Sequence, residues 1–298
     1  MNAAGLGEAR SAANAGAVGH LPLDVVTHGE GPPLVLLHGF GASRFTFRLW
    51  VDELAQTHSV HLVDLFGHGT APPPQDQRYG PLEQADAVTH WIRAADLRQT
   101  VLIGHSLGGG VALLVALNLI QRSEIDRVAA LVSVAGPAYS QAMPTYISLA
   151  RIPALGRTLL RLVGVERVVR NVLEHVVFDR STITGAQIAG YADPLRRPTG
   201  RSALIQTARQ IVPPGLDELA THFPSLDLPV LLLWGRHDPV IPLWVGERME
   251  RELPRARLVV LERCGHLPPE EVPAESLSAV RTVLDTTDTR TRQRTLSP

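Results

Sequence analysis

The stretch Val101-Leu-Ile-Gly-His-Ser-Leu-Gly-Gly-Gly110 joins a short apolar, β-branched run to a run with helical spacing, and the rest of the chain is read outward from it. Gly104 and Gly108 flank Ser106 on both sides. A tight strand-to-helix turn needs such small residues so that its backbones approach closely. It also aims the first N–H groups of the helix at any anion forming near the serine. The plainer reading is a Gly-rich turn with no chemistry, so context decides.

The context is an alternation. Apolar runs recur at Leu34–Leu37, Val60–Val63, Val101–Ile103, Val128–Val134, Val230–Trp234 and Leu258–Leu261, four of the six followed directly by Gly, Asp or His. Short runs apolar on both faces are expected of buried parallel strands. Helix-period stretches lie between them, at roughly 45–56, 82–97, 107–121, 243–252 and 271–284. The pattern predicts an α/β fold with a mostly parallel central sheet and helices on both faces. From 137 to 227 no strand is expected. Ser148–Val163 and Val165–Val177 carry apolar residues at three- and four-residue spacing. The chain is therefore expected to leave the sheet, build an inserted helical cap over 137–227, and return, the core being 21–136 and 228–284. Residues 1–20 read as a flexible leader and 285–298 as a polar, flexible tail.

Composition narrows the chemistry. With 298 residues and 45% hydrophobic content the chain has ample material for a core. Its net charge of −1 recommends neither nucleic acid nor an anionic surface as a partner. All 28 basic residues are Arg, which excludes Schiff-base lysines, a P-loop lysine and Ser–Lys dyads. The single cysteine, Cys264, excludes an intramolecular disulfide framework and CxxC sites, and reads as a small packed residue rather than a redox thiol. No run is long enough for a transmembrane segment and no signal-peptide core is visible, so a cytoplasmic location is the default expectation. No clustered metal ligands and no dinucleotide fingerprint appear, so neither metal nor organic cofactor is expected. The number of subunits is left open.

A serine nucleophile needs a base, and the base an orienting acid. In a parallel sheet reactive groups gather beyond the carboxyl ends of the strands. Among the twelve histidines, His105 is expected to pack into the turn, and His58, His61, His90, His175 and His222 fall in or beside predicted elements. His266, in Arg263-Cys-Gly-His-Leu267, follows the last predicted strand on a Gly-bearing loop and is the candidate base. Asp238, in Trp234-Gly-Arg-His-Asp238, follows its strand in the same way and is the candidate acid. Asp64 precedes Ser106 and is expected instead to tie down the Gly67-His68-Gly69 loop. Donors for a tetrahedral oxyanion are expected from the backbone N–H groups of Leu107 and of Phe40, the latter in His38-Gly-Phe-Gly41 after another strand.

The order Ser106, Asp238, His266, with Gly104–Gly108, His38–Gly41, Asp64–Gly69 and Gly265-His266, resembles the α/β-hydrolase fold superfamily over residues 21–284. The resemblance implies Ser106 as nucleophile, His266 as general base, Asp238 as its acid, Phe40 and Leu107 as oxyanion donors, and 137–227 as a helical lid. The loop after Asp64 departs from the family's D-x-P-G-x-G-x-S pattern by carrying Phe66 and Ala71, a change in packing rather than chemistry. Serine at 106 separates the chain from dehalogenase- and epoxide hydrolase-like relatives, which need aspartate there. Leu107, in place of a bulkier Met, fits a serine esterase- or lipase-like branch. The expectation is a hydrolase of small carboxylic esters with an apolar acyl or alcohol part, working through an acyl-enzyme. Met143, Ile147, Phe178, Ile211 and Val240 are the expected pocket. The cap's ten Arg against seven acidic residues suit either an anionic or interfacial substrate or plain solvated helix faces. The same triad also serves lactonases, perhydrolases, acyltransferases and carbon–carbon bond hydrolases. A non-catalytic ligand-binding relative is the reading from another class.

Overall fold

The computed structural model describes residues 23–295. The expected leader 1–20 lies outside them. The chain runs β1 (Asp24–His28), β2 (Pro33–Leu37), α1 (Val51–Leu54), β3 (Ser59–Asp64), α2 (Pro81–Ala94), β4 (Thr100–His105), α3 (Leu107–Gln121) and β5 (Val128–Val134). It then leaves the sheet through α4 (Thr145–Ala150), α5 (Pro153–Leu162), α6 (Val165–Val176), α7 (Gly185–Arg196), α8 (Pro198–Gln210) and α9 (Leu216–Ala220). It returns through β6 (Val230–Gly235), α10 (Leu243–Glu252), β7 (Ala256–Leu261), α11 (Pro268–Glu271) and α12 (Pro273–Thr295).

The sheet order is β1-β3-β2-β4-β5-β6-β7, parallel throughout except for β1 against β3. Side chains alternate across it. On one face Val35, Leu37, Val63 and Leu102 pack with Val88 and Ile92 of α2, Val111 and Val115 of α3, and Val245 and Met249 of α10. On the other, Leu34, Leu36, Val60, Ile103 and Leu231 pack with Phe47, Trp50 and Leu54 and with Leu277, Val280 and Leu284 of α12. Both faces being covered explains why the strands read as continuous apolar runs.

Three local features go beyond the sequence reading. β1 was not anticipated: it is a half-exposed edge strand of five residues, too short and too polar at its ends to give a periodic signal. The helical spacing over 148–163 is divided between two helices, because Pro153 begins α5 rather than continuing α4. Within the expected tail 285–298, the described residues 285–295 are helical. α12 continues to Thr295, since no Pro or Gly interrupts it, and the Thr286 and Thr287 hydroxyls donate to carbonyls of the turn before them. Between β5 and β6 the described residues contain helices and irregular connections but no strand.

Candidate active site

β4 enters the site fully buried and ends at His105. Ser106 follows with φ +52° and ψ −122°, a left-handed conformation that costs a non-glycine residue about 1–3 kcal/mol. It is held there by its surroundings: its N–H donates to Val134 O at 2.8 Å, and its carbonyl caps α3 by accepting from Gly109 at 2.8 Å. The glycines around it have a direct steric reason. A Cβ on Gly104 would sit 2.1 Å from Gly108 O, and one on Gly108 would sit 2.1 Å from Leu37 O. α3 can therefore lie on the ends of β2 and β4 only because those positions carry no side chain.

The structure brings Ser106, His266 and Asp238 together. The Ser106 hydroxyl lies 2.9 Å from His266 Nε2, and His266 Nδ1 lies 2.8 Å from Asp238 Oδ2. Asp238 Oδ1 accepts the N–H groups of Val240 at 2.8 Å and Ile241 at 2.9 Å, so both carboxylate oxygens are used. Ile241 is itself fixed by Trp234, whose Nε1 donates to its carbonyl at 2.9 Å. Because the carboxylate accepts from Nδ1–H, Nε2 is left as the acceptor for the hydroxyl. The Asp238 side chain is fully buried and that of His266 is 6% exposed. Asp64 is elsewhere, accepting backbone N–H groups from Arg44 at 2.7 Å and Thr70 at 2.9 Å.

Leu107 and Phe40, the residues expected to supply oxyanion donors, line the same cavity as the serine. Leu107 is the first residue of α3, so its N–H precedes the intrahelical ladder. The Gly39–Phe40 backbone lies against Ser106: a Cβ on Gly39 would be 3.0 Å from that of the serine. His38 orients this peptide. Its Nε2 accepts the Leu65 N–H at 3.1 Å, so Nδ1 carries the proton and donates to Gly39 O at 2.8 Å. With that carbonyl held by the ring, the Phe40 N–H of the same planar peptide faces the opposite way. Burial pushes the His38 ring below the ordinary histidine range and keeps it neutral. His105 is likewise buried and pushed down to about 3, mainly by desolvation and then by His266 beside it; its Nε2 donates to His266 O at 2.7 Å. Cys264 is buried and burial raises its thiol pKa, which leaves it a protonated packing residue.

Ser106 and His266 open onto a cavity of about 670 Å³ between the sheet end and the cap. Met143, Ile147, Ile211 and Val240 line it, as do Phe40 and Leu107. Phe178 does not. It is 41% exposed and stacks on His237 at 4.6 Å, because the chain has already turned out of the cavity at the end of α6. The sequence reading missed Val169, Val172, Leu173 and Val176 of α6, which form one wall. Their three- and four-residue spacing was the available signal. No Arg is among the described lining residues: Arg196 pairs with Glu166, Arg180 reaches Glu174 O, and Arg197 reaches Gly69 O. That favours solvated helix faces over an anion-binding rim. No helix among the described residues is long and apolar enough to cross a membrane.

Comparison with known proteins adds four likenesses. A family model described as the alpha/beta hydrolase family matches residues 34–279. The hydrolase YugF of Bacillus subtilis is 30% identical over 80% of this chain and 85% of its own length. A pimeloyl-[acyl-carrier protein] methyl ester esterase of Nitrosomonas europaea is 28% identical over 86% of this chain and 97% of its own. Among solved structures, a thermophilic esterase from Thermogutta terrifontis is 25% identical and superposes with a TM-score of 0.71 over 89% of this chain and 93% of that one.

Proposed function

Since the chain belongs to the alpha/beta hydrolase family, we propose that it is a serine hydrolase that cleaves carboxylic esters with an apolar acyl or alcohol part. The observation that carries this reading is the hydrogen-bonded relay Ser106–His266–Asp238, at 2.9 and 2.8 Å, opening onto a largely apolar cavity. The esterase named among its relatives supports the same substrate class.

In the proposed reaction His266 Nε2 takes the hydroxyl proton as Ser106 Oγ bonds to the ester carbonyl carbon. The carbonyl oxygen becomes an oxyanion held by the Phe40 and Leu107 N–H groups, a contribution of about 2.7–4 kcal/mol for each such donor. Asp238 stabilises the imidazolium. As the intermediate collapses, the bond to the alcohol oxygen breaks and His266 returns the proton to the leaving alcohol. Water, deprotonated by His266, then attacks the acyl-enzyme, and the proton goes back to Ser106 as the acid departs.

The test uses 4-nitrophenyl esters of increasing chain length, lactones, and a fluorophosphonate probe. The wild-type protein should turn over the esters and be labelled, and S106A should do neither while remaining folded. Undiminished hydrolysis by S106A would end the reading. Folded wild-type protein that neither turns over nor takes the probe would favour a ligand-binding relative.

A further inference from the structure

The loop that carries His266 is held from the cap as well as from the core. The His266 N–H donates to Val176 O, at the last residue of α6, at 2.8 Å. On either side of it, the N–H groups of Gly265 and Leu267 donate to the Glu271 carboxylate at 3.0 and 2.9 Å. The same carboxylate accepts the Phe178 N–H, from the chain leaving α6, at 2.6 Å. Glu271 thus takes bonds from both sides of the seam, one oxygen toward Leu267 and the other toward Phe178, with Gly265 shared between them. The two segments are in direct contact: a Cβ on Gly265 would lie 2.4 Å from Val176 O and 2.8 Å from Phe178 N.

The neighbouring Glu270 fastens the other side of the same short helix. Its side chain is 2% exposed and meets Arg48 of the core at 2.9 Å. It also accepts from Gln187 Nε2 at 2.5 Å and from the Tyr191 hydroxyl, both on α7 of the cap. α11 is therefore where core, cap and base loop are joined.

We infer that Glu271 is a positioning residue that ties the aim of His266 to the seating of the cap, through the N–H groups of Gly265, Leu267 and Phe178. The inference rests on His266 acting as the base of the proposed acyl transfer. A carboxylate suits the role because it offers acceptors in both directions, and bonds to an ionised acceptor are the stronger kind. An amide in its place has one oxygen, so its NH2 group must face the N–H of either Leu267 or Phe178. A displacement of the base by about 1 Å is enough to cost on the order of a hundredfold in rate.

Two variants test this from opposite ends. E271Q alters the acceptor. F178P removes the cap's donor, and Val177 before it, at ψ 151°, already has the extended backbone a following proline requires. F178A removes the ring stacked on His237 but keeps the N–H. Wild-type turnover and its loss in S106A are established first, so that failure of the ester reading is seen separately. With active sites counted by fluorophosphonate labelling, E271Q and F178P should each lower kcat per site by at least about tenfold with KM within about twofold. F178A should lose much less than F178P. A wild-type kcat per labelled site in either variant, or a loss carried by KM instead, overturns the coupling.

Discussion

At the scale of single residues, Asp238 is decisive because both of its oxygens are committed. Oδ1 is fixed by two backbone donors, Val240 and Ile241, so an asparagine there must keep its oxygen toward them. Its NH2 would then face His266 Nδ1. The ring would have to give up the Nδ1 proton, placing a hydrogen on Nε2, where the Ser106 hydroxyl needs an acceptor. D238N should therefore fold normally and lose on the order of 10³–10⁴ in kcat; steady-state kinetics on a 4-nitrophenyl ester checks this, and a loss below tenfold would contradict the tautomer argument. These three side chains were legible because each lies at or in the loop after the carboxyl end of a strand whose apolar run is unmistakable. Glu271 was not. In Pro268-Pro-Glu-Glu-Val-Pro273 it stands at the start of the 271–284 helical stretch with nothing local to single it out, and only the folded chain brings Phe178 to it.

At the scale of elements, the packing of α3 on the sheet depends on glycines that leave no room. G108A would drive a methyl into Leu37 O, a backbone atom that cannot turn aside, so α3 must lift. The expected cost is on the order of 3 kcal/mol, read as a drop in the urea midpoint, together with lost turnover as the Leu107 N–H moves. G185A is the contrast: a Cβ there meets nothing within 4 Å at the start of α7, so stability should hold or rise by up to about 1 kcal/mol. Equal effects from the two would contradict the steric account. Elements buried on both faces were readable, since their composition follows from burial. β1 and the last turns of α12 were not: one borrows its order from β3, and the other is a polar helix extended from an apolar one.

At the scale of the whole molecule, the interior is built around neutral imidazoles. Burial pushes His68 down to about 4 and His105 to about 3, against an ordinary value of 6.5. Between those values and 6.5 the unfolded chain binds protons that the folded one does not, so stability falls as pH drops below about 6.5. The slope is at most about 1.4 kcal/mol per pH unit for each histidine. Urea unfolding midpoints should decline steadily from pH 7 to pH 5, and a constant midpoint over that range would contradict burial as the cause. The cap is attached in a way that bears on how new specificities arise. It departs after β5 and comes back into β6, and these two strands are direct neighbours, with Leu131 beside Val230. A foreign cavity wall grafted at that junction needs only to bridge one inter-strand gap, and the ladder beneath it stays untouched. Such a graft would still have to reproduce the seam at Val176 and Phe178, which makes those few backbone atoms the fitting that any interchangeable roof must share.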